Sequence, residues 1–290
     1  MKKALFPLVL ILTLAGCSST PDLPPEDKRP PEVIYMEGVE MLRAERFKTA
    51  AKLFEGLDQK HPFSPWATRS QINLIYSTFK QDQFEEAISN AERFIRLHPR
   101  HPHVAYAYYM RALAFYQQIA DPYRDQGKTR EAIAAFRELV KRFPNSDYAF
   151  DAKQMLTLCM YRLAEQEMVI GRYYLDQREF IAASNRFRRV VEDKEFSTTF
   201  YVEEALFGLA YAHYRLGLLN EARNYASVLG HNFRDGGFYA LALDALDGRT
   251  IGDGEIASLR RHVEEESLFK RFFQGLTPGL PGMERLGKQE

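Results

Sequence analysis

The chain has 290 residues with 39 basic and 39 acidic side chains, and this balance offers no electrostatic case for nucleic acid as a partner. Hydrophobic residues make up 46% of it, enough for a substantial core. Two cysteines exclude a scaffold stapled by several disulfides.

Met1-Lys2-Lys3 precede an apolar run that begins at Ala4 and ends at Ala15-Gly16-Cys17, the layout of a secretory signal. The run is about thirteen residues, short of the roughly 20 that a spanning helix needs. Leu14-Ala15-Gly16-Cys17 resembles the lipobox of bacterial lipoproteins. That resemblance implies cleavage of residues 1–16 and a mature protein beginning at Cys17 with S-diacylglycerol and N-palmitoyl groups. It also implies outer-membrane sorting, since Ser18 rather than Asp follows the cysteine. Losing Lys2 and Lys3 leaves 37 basic against 39 acidic residues, a net charge of about −2. Cys159, set among Leu156, Leu158, Met160 and Tyr161, reads as a small buried hydrophobe.

Residues 17–32 form a tether. Five prolines and almost nothing apolar lie between Ser18 and Glu32, so the segment runs extended and reaches about 40 Å at about 3.1 Å per residue. From Val33 the apolar spacing is helical without a break long enough for a strand, which predicts an all-α body over 33–247. His-Pro, Phe-Pro-Asn-Ser and Gly-Leu mark its loops.

The helices repeat. Gly38, Ala50, Phe54 and Pro62 stand 12, 4 and 8 residues apart, a spacing that resembles the tetratricopeptide helix pair. Small residues let the two helices approach, Phe54 fills the wedge against the next pair, and Pro62 stops the second helix. Ala87 and Pro99, then Ala132, Phe136 and Pro144, then Gly171, Ala183 and Phe187, then Ala210 and Ala222 mark four further units. The alanines at the shared position step by 37, 45, 51 and 39 residues. Insertions at Ile119–Lys128 and in a long helix from about Asp147 to Asp176 account for the excess. The fold class predicted is an α-solenoid of about five such pairs with a C-terminal capping helix.

Further segments carry a narrower resemblance. His61-Pro62-Phe63-Ser64-Pro65-Trp66, Leu74-Ile75-Tyr76, Arg93-Phe94-Ile95-Arg96-Leu97-His98-Pro99-Arg100-His101-Pro102, Tyr109-Met110-Arg111-Ala112-Leu113 and Arg142-Phe143-Pro144-Asn145-Ser146-Asp147-Tyr148 are similar to turns and helices of the BamD family. These are the tetratricopeptide lipoproteins of the outer-membrane β-barrel assembly machine. The similarity spans roughly residues 17–235. It implies a periplasmic scaffold that binds the BamA periplasmic domain, other Bam lipoproteins and unfolded outer-membrane β-barrel proteins. The family's client signal is a C-terminal strand ending in an aromatic residue.

Function in a solenoid is sought on the concave row of first helices. Tyr35, Arg69, Tyr76, Tyr106, Tyr109 and Arg111 are the candidates for a client-peptide groove, with tyrosines to stack on an aromatic terminus and an arginine to pair with its carboxylate. Met36 and Asn73 share those helices. At the fifth unit, Tyr201, Glu203, Glu204, Arg215 and Arg223 are the residues the resemblance assigns to BamA. His98, His101 and His103 lack cysteine or carboxylate companions at ligand spacing and read as turn and cap residues rather than a metal site.

Beyond the array, Gly248–Gly254 reads as a joint and residues 248–275 as a further helical segment. On it Leu268, Phe269, Phe272, Phe273 and Leu276 form an apolar face; residues 276–290 read as a disordered tail. There is no P-loop, no Gly-x-Ser-x-Gly and no His-Glu-x-x-His, which argues against an enzyme and against any cofactor other than the lipid. The alternative class is a tetratricopeptide lipoprotein serving pilus-secretin assembly or cell division.

Overall fold

The computed structural model describes residues 29–266. Cys17, most of the tether and the apolar face from Leu268 to Leu276 lie outside the described residues. Twelve helices account for the regular structure of the described part: α1 (Pro31–Arg43), α2 (Phe47–Lys60), α3 (Pro65–Phe79), α4 (Phe84–Leu97), α5 (Val104–Tyr116), α6 (Gly127–Arg142), α7 (Asp147–Asp176), α8 (Phe180–Glu192), α9 (Tyr201–Arg215), α10 (Leu219–Asn232), α11 (Gly237–Leu246) and α12 (Asp253–Glu266).

The odd-numbered helices from α1 to α11 pack successively on one another and form one row. Each even-numbered helix from α2 to α10 packs on the odd helix before it and the one after it. This is a tetratricopeptide-like solenoid.

One turn recurs within the pairs. Glu45, Asp82, Arg178, Gly217 and Gly248 all sit at positive φ. The amide one residue further on reaches back to Met41, Thr78, Tyr174, His213 and Asp244 respectively. These are Schellman caps, which satisfy carbonyls the helix would otherwise leave free. The last copy joins α11 to α12, the helix that follows the array.

Pair closure depends on missing side chains. A Cβ on Gly38 would lie 2.5 Å from Phe54, and Cβ atoms on Gly171 and Gly208 would each lie 2.6 Å from Phe187. Phe187 is thus clamped between two odd helices, α7 and α9. The alanines at the shared position, from Ala50 to Ala222, are fully buried.

The missing third turn is replaced by the loop between α5 and α6. Buried Gln126 organises it: its amide donates to the carbonyls of Asp121 (2.8 Å) and Arg124 (3.2 Å), while its oxygen accepts from Thr129 (2.7 Å). The lengthened α7 meets this loop through Gln166, whose amide donates to the Arg124 carbonyl at 3.1 Å. Cys159 is buried on α7, and desolvation pushes its thiol up to about 12. Among the described residues no helix is long and apolar enough to cross a membrane.

Candidate functional site

Ser64 caps α3 by accepting from the Trp66 amide at 3.2 Å, and Pro65 pre-sets the first helical turn. That start fixes Trp66, and one turn later the Arg69 guanidinium lies over its ring at 5.0 Å from the centroid. Tyr35 of α1 closes the other side, 4.9 Å from Trp66 and 5.9 Å from Phe54 between centroids. Its hydroxyl accepts from Asn73 Nδ2 at 3.2 Å.

Tyr35, Arg69 and Asn73 line a pocket of about 190 Å³ together with Ile72, His101, Pro102 and His103. The turn before α5 that supplies the histidines is held in two ways. His101 Nδ1 accepts from the His103 amide at 3.1 Å. His98 Nε2 meets Gln71 at 3.0 Å, and Gln71 in turn donates to buried Asp58 at 2.6 Å, which also pairs with Arg93 at 2.6 Å.

Burial, then the neighbouring His103 and His98, lowers the His101 pKa; burial, then Arg69, lowers that of His103. Arg69 is the one permanently charged group in the lining, and no carboxylate is among the lining residues. A small pocket with a fixed cation, an amide and an aromatic wall suits a carboxylate attached to an apolar or aromatic group.

The structure brings Tyr35 and Arg69 together and separates the other predicted groove residues from them. Tyr76 packs edge-on to Phe47 at 6.1 Å, with its hydroxyl pKa raised by burial and by Glu45. It serves the first pair's far end. Tyr106 (2% exposed) and Tyr109 (0%) are core, both against Tyr148. The Tyr109 hydroxyl donates to Asp151 at 2.5 Å, and its pKa is raised, first by burial and then by that bond. Arg111 is engaged with Glu138 at 2.5 Å and stacks on Tyr108. These three are corrections: no ligand stacks on the Tyr106 or Tyr109 ring that neighbouring helices enclose, and the Arg111 guanidinium is already paired with Glu138. Ile72, Pro102 and the two histidines join Tyr35, Arg69 and Asn73 in the lining, and the Arg69/Asn73 spacing of four on one helix face was the available signal.

The five residues predicted for a second partner also divide. Tyr201 (4% exposed) packs against Phe200 and Tyr161, and Glu204 (7%) is buried beneath Arg172 and Arg260. Tyr201 is enclosed, which corrects that assignment, while Glu204 is covered by Arg172 and by Arg260 of α12. Glu203 is half-buried; burial raises its carboxyl pKa, the Phe238 amide opposes that, and Oε1 has no hydrogen-bond partner. Arg215 faces solvent, lies 4.8 Å over Phe180 and donates to the Tyr211 hydroxyl at 2.8 Å. Arg223 is exposed on α10. Tyr201 and Arg215 stand at opposite ends of α9, about 20 Å apart by helical rise, so the five do not form one patch.

A family profile described as "YfiO: Outer membrane lipoprotein" matches residues 27–229. The chain is 36% identical to the outer membrane protein assembly factor BamD of Caulobacter vibrioides over 242 residues, covering 83% of this chain and 79% of that one. It is 37% identical to the BamD of Rickettsia prowazekii over 235 residues, covering 81% and 92%. Against the BamD of Neisseria meningitidis serogroup A the identity is 35% over 249 residues, covering 80% and 92%.

Proposed function

Since this chain belongs to the BamD family of outer membrane lipoproteins, we propose that it is a non-catalytic scaffold of outer-membrane β-barrel assembly. In this reading it is anchored on the periplasmic side of the outer membrane by lipid on Cys17. The proline tether would hold the solenoid within about 40 Å of the bilayer into which its clients insert.

Clients dock by their C-termini at the first units. The observation that supports this is the pocket of Tyr35, Arg69 and Asn73, which offers one cation and an aromatic wall with no carboxylate in its lining. Arg69 receives the terminal carboxylate while Tyr35 and Ile72 take the terminal aromatic ring. Toward the other end, Arg215 stacked on Phe180, with exposed Leu218, Leu219 and Arg223 nearby in the chain, is the surface offered to the BamA periplasmic domain. Other Bam lipoproteins complete the assembly.

The test uses a labelled short peptide ending in phenylalanine, as free acid and as C-terminal amide, titrated into the full chain by fluorescence anisotropy. Amidation should weaken binding about tenfold, as should Arg69→Ala with the free acid. The two losses should not add, because they remove the same pair. Equal affinity for acid and amide overturns the carboxylate assignment.

A further inference from the structure

The last helix turns back across the row rather than extending it. Arg260 of α12 reaches Glu204 of α9, with Nε 3.0 Å and Nη2 2.9 Å from Oε1. Glu204 already receives Arg172 of α7, Nε to Oε1 at 2.7 Å, with a second contact to Oε2. Leu259 rests on Gly237, where a Cβ would meet its Cδ2 at 2.2 Å.

Yet α12 fits this cleft loosely. None of its described side chains is fully buried: Ile256, Leu259 and Val263 are half-buried, and Glu255, Ser258 and Arg261 are exposed. A partly open cleft of about 210 Å³ remains between Ile256 and Ala257 on one side and Leu175, Phe187 and Phe207 on the other. A helix belonging to the core would fill such a space. Its connection is equally light. Gly248 sits at φ +88°, Gly252 has open space around it, and Arg249 spans the joint through exposed pairs to Asp244 (2.6 Å) and Glu255 (3.0 Å). Exposed pairs of this kind contribute little and are screened by salt.

Charge says what the cleft accepts. Without α12 its lining carries Arg172 against Asp176 and Glu204, one negative charge in excess, and Arg260 neutralises it. Departure of α12 strands no buried charge, because Glu204 keeps Arg172. We propose that the cleft between α7 and α9 is a docking site for an amphipathic partner helix bearing an arginine, and that α12 occupies it in cis as a displaceable placeholder. The partner helix presents aliphatic residues at the spacing of Ile256, Leu259 and Val263, with its arginine at the position of Arg260. The inference stands on the geometry of α12 and is independent of the client pocket.

The probe is a labelled peptide of residues 251–266, titrated into the full-length chain and into its Arg260→Glu and Leu259→Asp variants, with hydrogen exchange recorded in parallel. Both substitutions lie on α12, so the array itself does not depend on them. In both variants α12 should lose amide protection while α1–α10 keep theirs. The peptide should then bind at least about tenfold more tightly than to the unaltered chain, because apparent affinity scales with the fraction of open site. A peptide carrying Arg260→Glu should not bind. Retained protection of α12 in both variants overturns the proposal, as does release of α12 with no gain in peptide affinity. A concentration-dependent dimer that exchanges α12 also overturns it, since the occupant would then be a second copy.

Discussion

The two ends of the odd-helix row solve opposite problems. At the first units the row is open: Tyr35, Arg69 and Asn73 line a pocket that no described helix crosses. At the last units the row is covered, and its buried carboxylate, Glu204, already holds two arginines. The same repeat therefore presents a site at one end and a closed seam at the other. The difference arises from what packs on the row.

The wedge residues give the largest test of that contrast. Phe54 meets one glycine, Gly38, whereas Phe187 is clamped by Gly171 and Gly208 and also lines the partly open cleft beside α12. Phe187→Ala should cost about 3–5 kcal/mol in chemical denaturation and should strip amide protection from α9 and α12. Affinity for a C-terminal peptide at the first units should hold wherever the array stays folded. Loss of peptide affinity in step with the damage at α9 would show that the ends are one cooperative unit, and the comparison would break.

A smaller pair of substitutions sharpens the distinction between groove and core. Tyr109→Phe removes a hydroxyl bonded to Asp151 and should cost about 1 kcal/mol of stability with peptide affinity unchanged. Trp66→Leu removes the ring beneath Arg69 and should do the reverse, weakening peptide binding by about two- to fivefold, the equivalent of about 0.5–1 kcal/mol, with little change in stability. A peptide-affinity loss in Tyr109→Phe would return that ring to the groove.

The fold was legible because its signals are steric and local. Gly38 and Phe54 must be sixteen residues apart for one to vacate the space the other fills. The thirty-residue α7 shows in sequence because nothing between Ser146 and Gln177 breaks a helix. The site was legible only in part, because periodicity assigns a residue to a helix face without saying what covers that face. Tyr35 and Tyr109 are alike in type and both lie on odd helices, but α5 is apolar on every side, with Val104 through Met110 all buried. A helix of that kind is enclosed, and this was the warning against Tyr106 and Tyr109. The return of α12 left no local mark, since Arg260 finds Glu204 across 56 residues.

Acidification separates the two ends by sign. His101 and His103 have lowered pKa values, first through burial, so the unfolded chain binds more protons than the folded one near their ordinary value of 6.5. Their contribution to stability is present above that value and is lost as pH falls through their folded pKa values. Glu203 behaves in reverse. Burial raises its carboxyl above the ordinary 4.5, so the folded chain holds the proton longer, and stability falls as pH rises through its folded pKa. Removing each group should therefore tilt the stability profile in opposite directions. His101→Gln with His103→Gln should flatten the loss of stability between about pH 6.5 and 5. Glu203→Gln should stabilise the chain more at pH 7.5 than at pH 4.5, because at the higher pH it relieves a buried charge that the Phe238 amide only partly satisfies. Denaturation midpoints at the two pH values measure this directly. An equal gain at both would mean that the carboxylate charge is not what the far end of the row opposes, and the electrostatic half of the contrast would fail.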